Sequence, residues 1–390
     1  QPGCVHERPG AHHRGDVGLD LDFFNNRLSV SGDYYRRYTT DMYTASVALP
    51  AVYGTGSPKG NNAEMKTDGW ELSLSWRDSF KLGGKPFDYS IKAMVWDSKS
   101  VITKYVNDTG SLGTVKGFIE NGGSPSSYYV GMTVGEIWGY TVAGLFRDQA
   151  DIDSSAIHDF VQASDKVTRP GQVKIADLDG NGFIDPGNFA VDDHGDLRII
   201  GNQSPRYRYG VNLSARWNGI GLSVFLQGVG ARDWYPGSDA GMFWGKYGRP
   251  FFALIPSIHN YTDDMYSAER NNWDTAYWPR MTTYQSNGTK NWTRLLEIPN
   301  TRYIQSAAYL RVKNIQLDYS FPKHICSAIR LQGLKIYVNA ENLFTFTPLH
   351  KYAPNFDPEG LSYDSDFASA ADGYTYPILK SVTVGVNITF

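Results

Sequence analysis

The chain has 390 residues, 41% of them apolar, and a formal net charge of −3, which suits several soluble domains or one large barrel. No apolar run approaches the ~18 residues that a membrane helix needs. This excludes a helical membrane protein but not a barrel, whose alternating strands average out as polar. The charge gives no basis for a nucleic-acid partner. Cys4 and Cys326 lie far apart, with no CxxC spacing, and give neither a disulfide framework nor a thiolate metal site.

Residues 1–15 (QPGCVHERPGAHHRG) carry Pro, His and Arg without periodicity and show no apolar signal-peptide core. They read as an atypical leader, disordered or an artefact of gene assembly, with the patterned chain running over 16–390. From Asp16, strands and turns alternate. Leu19, Leu21 and Phe23 interleave with Asp20 and Asp22 up to the tight-turn pair Asn25-Asn26, and a return strand starts at Leu28. Residues 45–65 (with YGTGSPKGNNAE) read as a loop by composition. Trp70, Leu72, Leu74 and Trp76 then alternate with Glu71, Ser73 and Ser75, which predicts a strand with an aromatic at each rim of an apolar slab. Its hairpin partner is expected over 87–97, across Gly83-Gly84.

Residues 98–205 are rich in Gly and Asp and hold few clean strands; a connection this long is usually functional. Strands resume at Tyr207, turn at Asn218-Gly219 and continue through Leu222, Val224 and Leu226. Residues 231–301 form a second long loop with Trp234, Tyr235, Trp244, Trp273, Trp278 and Trp292, and 347–379 a third. Three further strands are expected over 309–321, 334–346 and 380–390, the first broken by a bulge near Lys313. The last is the cleanest: Val382, Val384, Val386, Ile388 and Phe390 alternate with Ser381, Thr383, Gly385, Asn387 and Thr389. The sum is an all-β chain of about ten antiparallel strands, with short turns on one side and long loops on the other, the asymmetry of outer-membrane β-barrels.

One local motif carries chemistry. Asp177-Leu-Asp-Gly-Asn-Gly-Phe-Ile-Asp185 places oxygen ligands Asp177, Asp179 and Asn181 at the first, third and fifth positions of a calcium loop, with Gly182 at the sharp turn. Asp185 is a further candidate. The closing position is Asn188 where a bidentate carboxylate belongs, so Asp185, Asp192 or Asp193 would have to substitute. The alternative is an Asx-rich turn without metal. The Trp and Tyr residues of the second long loop suit either sugar stacking or packing within the loops. Asp97, His158, His194 and His259 lack catalytic spacing, and no GxSxG, HExxH or phosphate loop occurs. Nothing in the chain supports catalysis.

Several stretches resemble the SusC-like branch (RagA/SusC family) of TonB-dependent outer-membrane transporters of Bacteroidetes. They are NTRYIQSAAYLRVKNIQLDYSFP over 300–322, LKIYVNAENLFTF over 334–346 with DPE at 357–359, AYWPR at 276–280 and the ending GVNITF. The resemblance covers nearly all of 16–390. It implies the C-terminal portion of a transmembrane barrel of about 22 strands with a plugged lumen. The plug and TonB box would lie in sequence N-terminal to this chain, since part of a barrel leaves unpaired edges in lipid. It further implies a nutrient importer that takes up glycans or oligopeptides under a SusD-like lipoprotein lid, energised by TonB–ExbB–ExbD through the plug. In that family a segment like the Asp177 loop lies in an extracellular loop with a structural role. The competing reading is a secreted or surface calcium-stabilised all-β carbohydrate-binding module. A barrel hydrolase would need a catalytic constellation that the chain does not display.

Overall fold

The computed structural model describes residues 11–45, 59–114, 125–158, 168–236, 243, 264–280, 298–361 and 378–390. Its strands, in chain order, are β1 (Ala11–Phe23), β2 (Leu28–Ala45), β3 (Lys59–Leu82), β4 (Lys85–Lys104), β5 (Glu136–Tyr140), β6 (Val142–Leu145), β7 (Val173–Ile175), β8 (Leu197–Asn202), β9 (Arg206–Trp217) and β10 (Ile220–Ala231). They continue with β11 (Asp233–Trp234), β12 (Gln305–Ser306), β13 (Tyr309–Ser320), β14 (Gly333–Phe346) and β15 (Ser381–Thr389). Two short helices are α1 (Gln149–Asp153) and α2 (Lys323–Ala328).

Nine strands form one antiparallel sheet in the order β1-β2-β3-β4-β9-β10-β13-β14-β15. Among the described residues this sheet has nine strands, where the sequence pattern gives about ten. Local chemistry explains the turns. Gly83-Gly84 and Asn218-Gly219 hold positive φ at both central positions, the geometry that continues the right-handed twist of the flanking strands. Phe24, Asn25 and Asn26 do the same between β1 and β2.

Register sorts the two faces. The row Leu21, Val30, Leu74, Ala93, Val211, Leu226, Val312, Phe344 crosses eight strands and is apolar throughout. On the other face, the row Ser90, Ser214, Ser223, Gln316, Asn339, Thr383 is polar throughout. Val17, Leu72, Leu317, Val384 and Val386 of the apolar face stay exposed, so among the described residues no second layer covers it. Towards the short turns this face carries packed aromatics: Phe24 on Trp76, Phe80 on Phe87 and Tyr89, and Tyr319 on Phe321.

The buried core lies elsewhere. Trp234, Trp278, Tyr140, Tyr303, Leu112 and Ile137 are essentially sealed from solvent, and all belong to the first two long connections. Tyr277 stacks on Tyr352 at 3.6 Å, joining the second connection to the third. Tyr140 accepts from Thr301 and donates to Pro299 through its backbone, joining the first to the second. Arg232 reaches the carbonyls of Pro358 and Leu361. One packed cap thus sits over the end of the sheet opposite the short turns.

Several boundaries differ from expectation. Residues 11–15 belong to β1, with Ala11 paired to Thr40 and Gly15 to Arg36, so that part of the leader is ordered strand. Of the loop expected over 45–65, residues 46–58 lie outside the described residues and 59–65 are strand, because β3 pairs with the upper part of β2 as far as Ala45↔Lys59. Trp70 and Trp76 consequently sit inside a strand of 24 residues and not at its ends. β4 runs to Lys104, past the boundary expected at 98, and the connection after it holds β5–β8 and α1. The bulge does fall at Lys313: Val312 and Asn314 have partners on both neighbouring strands and Lys313 has none.

Candidate functional site

The acidic loop lies in the first connection, between β7 and β8. Asp177 accepts from the amides of Gly180 (2.7 Å) and Gly182 (2.9 Å). Asp179 accepts from Asn181 N, and Asn181 Oδ1 from Phe183 N at 2.7 Å. Gly180 and Gly182 supply the positive φ values, 76° and 85°, that let the chain curl this tightly. Past the turn, Phe183 bridges Ile157: Ile157 N donates to Gly182 O and Ile184 N to Ile157 O, both at 2.8 Å. Ile184 is buried beneath, anchoring the loop to the cap.

The fourth carboxylate is Asp196, which the spacing of the motif does not mark. It is fully buried, its Oδ1 accepting from Leu178 N (2.6 Å) and its Oδ2 from Asp185 N (3.1 Å). One carboxylate oxygen each from Asp177, Asp179 and Asp196 lie within 4.8 Å of one another. Asp185, Asp192 and Asp193 do not join that trio. Asp185 accepts from Gly187 N and from the Asn181 amide, and Asp193 bonds the side chain of Asn188. The carboxylate grouped with Asp177 and Asp179 thus comes from beyond the twelve-residue frame. Asn181 turns its amide nitrogen to Asp179 and Asp185, 3.1 Å each.

The electrostatics of the trio are unbalanced. The Gly182 amide, foremost, holds the Asp177 carboxyl below its ordinary range. Burial pushes Asp196 up, and the charges of Asp179 and Asp177 add to it. No ion pair to any of the three occurs among the described residues. The donor set is all oxygen, matching a hard divalent cation such as Ca²⁺.

The aromatic candidates divide. Trp234, Tyr235 and Trp278 are at most 1% exposed and pack on one another's neighbours, Trp278 stacking on Tyr303 at 5.5 Å. For these residues loop packing prevails over sugar stacking, because no ring face is free. Trp273 packs against the same core, while Trp244 and Trp292 lie outside the described residues. Of the scattered polar candidates, Asp97, His158 and His194 are engaged elsewhere. Asp97 takes a two-pronged bond from Arg206 across β4 and β9, Nε–Oδ1 2.6 Å. His158 is buried between backbone groups, and His194 accepts from Arg198 in edge-on contact with Trp138. His259 lies outside the described residues.

No family model matches the chain. Among known proteins it is 26% identical over 383 residues to a TonB-dependent receptor of Formosa agariphila, covering 96% of this chain and 34% of that protein. It is 23% identical over 381 residues to the TonB-dependent receptor SusC of Bacteroides thetaiotaomicron, with 96% and 31% coverage. Among solved structures it superposes on the RagAB peptide transporter with a TM-score of 0.59 and 18% identity, over 97% of this chain and 35% of that one. The RagAB peptide importer in its open-open state gives 0.61 and 19%, over 97% and 34%. The chain therefore spans about a third of the length of the proteins it matches. Over nearly its whole length the chain is thus similar to one segment of TonB-dependent receptors, SusC among them, and it shares the two-faced antiparallel sheet of the solved transporters.

Proposed function

We propose that this chain is the C-terminal barrel portion of an outer-membrane TonB-dependent nutrient importer. One observation carries the reading: alternate residues across the middle of nine paired strands form an apolar band with no protein layer over it among the described residues, while the polar face looks the other way. Water would penalise such a face, and a bilayer would not. The same observation counts against a soluble binding module, whose sheet would bury its apolar side. β1 and β15 are sheet edges, and hydrocarbon tolerates no unpaired strand edge. Strands from the rest of the protein would close the barrel, at about 22 in all.

The polar face would line a lumen held by an N-terminal plug, through which TonB–ExbB–ExbD supplies the energy. The cap of packed loops would meet a SusD-like lipoprotein lid, and exposed Ile157, Leu178 and Phe183 around the acidic loop give it an apolar surface for contact. The cargo would be a glycan or an oligopeptide; the import of peptides by RagAB supports the second. Passage needs binding and gating and no covalent step. Asp177, Asp179 and Asp196 would hold one Ca²⁺, with Asn181 and Asp185 arranging the loop, so that the ion stiffens the cap.

The test is fractionation of the chain expressed with its upstream coding sequence. Detergent-dependent extraction from outer membranes and a heat-modifiable gel shift are expected. A product that stays soluble without detergent would overturn the reading.

A further inference from the structure

The turn between β13 and β14 is unlike the other short turns. Residues 321–332 insert α2, and they hold Lys323, His324 and Arg330 with no acidic residue, in a chain whose net charge is −3. Neither Lys323 nor Arg330 has an ion-pair partner among the described residues. Ile325 within α2 and Ile329 just past its C-terminus are 39% and 54% exposed, while Cys326 faces inward against the Phe321 carbonyl. Apolar and basic side chains are therefore offered together at one rim of the sheet. Arg330 also holds φ = 57°, where glycine or asparagine is the usual choice, so the backbone there is strained around a cation.

Beside this rim the apolar face is not flat. Ile220, Leu317, Tyr319, Ile336, Val338 and Val384 enclose a groove of about 370 Å³ with almost entirely apolar walls. Its end nearest α2 is closed by Tyr319, whose ring packs on Phe321 at 5.0 Å; Phe321 in turn is fixed by its amide to Leu334 O. The order along the wall is apolar groove, aromatic pair, basic helix. This is the order of acyl chain, interface and headgroup in one leaflet of a bilayer.

We propose that the groove and α2 form a specific site for an anionic phospholipid of the leaflet at the short-turn rim. An acyl chain would lie in the groove, and Lys323 and Arg330 would pair with the headgroup phosphate. The site rests on the membrane reading above, and goes beyond it in naming a retained lipid. Ile325 and Ile329 dip into the interface and hold α2 against the bilayer, which keeps the two cations at phosphate height.

The experiment is native mass spectrometry of the full-length importer, delipidated in detergent and titrated with phosphatidylglycerol. The wild type is expected to take up one lipid that survives gentle activation. Lys323→Glu with Arg330→Glu should bind about tenfold more weakly, with Lys323→Gln and Arg330→Gln between them. Val338→Trp, which fills the groove from the lipid side, should weaken binding with the cations intact. Equal retention by all variants would overturn the proposal. Displacement of the lipid by inorganic phosphate would do the same, pointing to a free-anion site. Each variant is also run on a gel: a heat-modifiable shift with unchanged lipid binding sinks only this site, whereas a wild type without the shift sinks the barrel reading itself.

Discussion

Arg311 on β13 reaches Asp357, in the connection after β14, at 2.6 Å with only 3% of its side chain exposed. The same guanidinium bonds Thr345 Oγ1 at 2.9 Å and Glu359, which Lys313 of the bulge also contacts at 2.8 Å. The bulge thus turns Lys313 toward the loop, and the strand pins the third connection to the sheet. Arg311→Met should leave Asp357 without its cation. Because Asp357 is partly exposed, local opening should become easier by about 2–3 kcal/mol, short of a fully buried pair. Limited proteolysis after Leu361 should accelerate; an unchanged cleavage rate would refute the pinning role.

Trp278 fills the centre of the cap between Phe243 and Tyr303. Trp278→Ala should cost the cap about 3–5 kcal/mol through the cavity it leaves. Trp278 itself lies outside the nine-stranded sheet, whose strands reach this core at Ile102 and Met65, so the heat-modifiable shift should persist while surface loops become protease-sensitive. Loss of both together would mean that cap and sheet fold as one unit.

The acidic loop gives a metal test that needs no transport assay. Added Ca²⁺ should slow hydrogen exchange across 177–197, and chelation should reverse it. Asp196→Asn should abolish the effect and Asp193→Asn should leave it intact, since only the former belongs to the carboxylate trio. If Ca²⁺ leaves exchange in the wild type unaltered, the loop is an Asx turn.

His158 links β7 to the bridge at Ile157. Its Nδ1 donates to Ala156 O at 2.8 Å and its Nε2 accepts from Ile175 N at 3.0 Å, so only the neutral ring fits. Burial lowers its pKa, with Lys174, itself paired to Asp151, adding to the effect. The folded pKa lies below the unfolded value of ~6.5, so the stabilisation is present above that pH and is lost as pH falls toward the folded pKa. Exchange of the Ile175 amide, corrected for its intrinsic pH dependence, should quicken below about pH 6.5 in the wild type. His158→Gln should remove that dependence; a variant with the wild-type profile would assign the titration to another group.

Val384 and Thr383 are adjacent but occupy opposite faces of β15. Val384→Lys should destabilise the folded protein in lipid vesicles by up to about 2–4 kcal/mol, and Thr383→Lys, on the polar face, by no more than about 0.5 kcal/mol, read by urea unfolding. Similar costs at both sites would contradict the assignment of faces.

The sequence alone determined what depends on neighbours in the chain. Alternation such as Val382 to Phe390 sets the two faces of a strand. Asn218-Gly219 and Gly83-Gly84 set the turns, since φ > 0 is a property of those residues, and the break in alternation near Lys313 marked the bulge. The tertiary structure decided what depends on distant partners. Ala11 and Lys59 are strand because β2 is long enough to pair with both, although their composition suggests otherwise. Trp234 and Trp278 are core because three separated connections close over them, and a Trp in a loop carries no mark of which side it will face. Asp196 enters the acidic cluster because β8 returns beneath the turn, placing its carboxylate under the amides of Leu178 and Asp185. Periodicity records the environment of a repeating backbone, whereas a folded loop has no period to record.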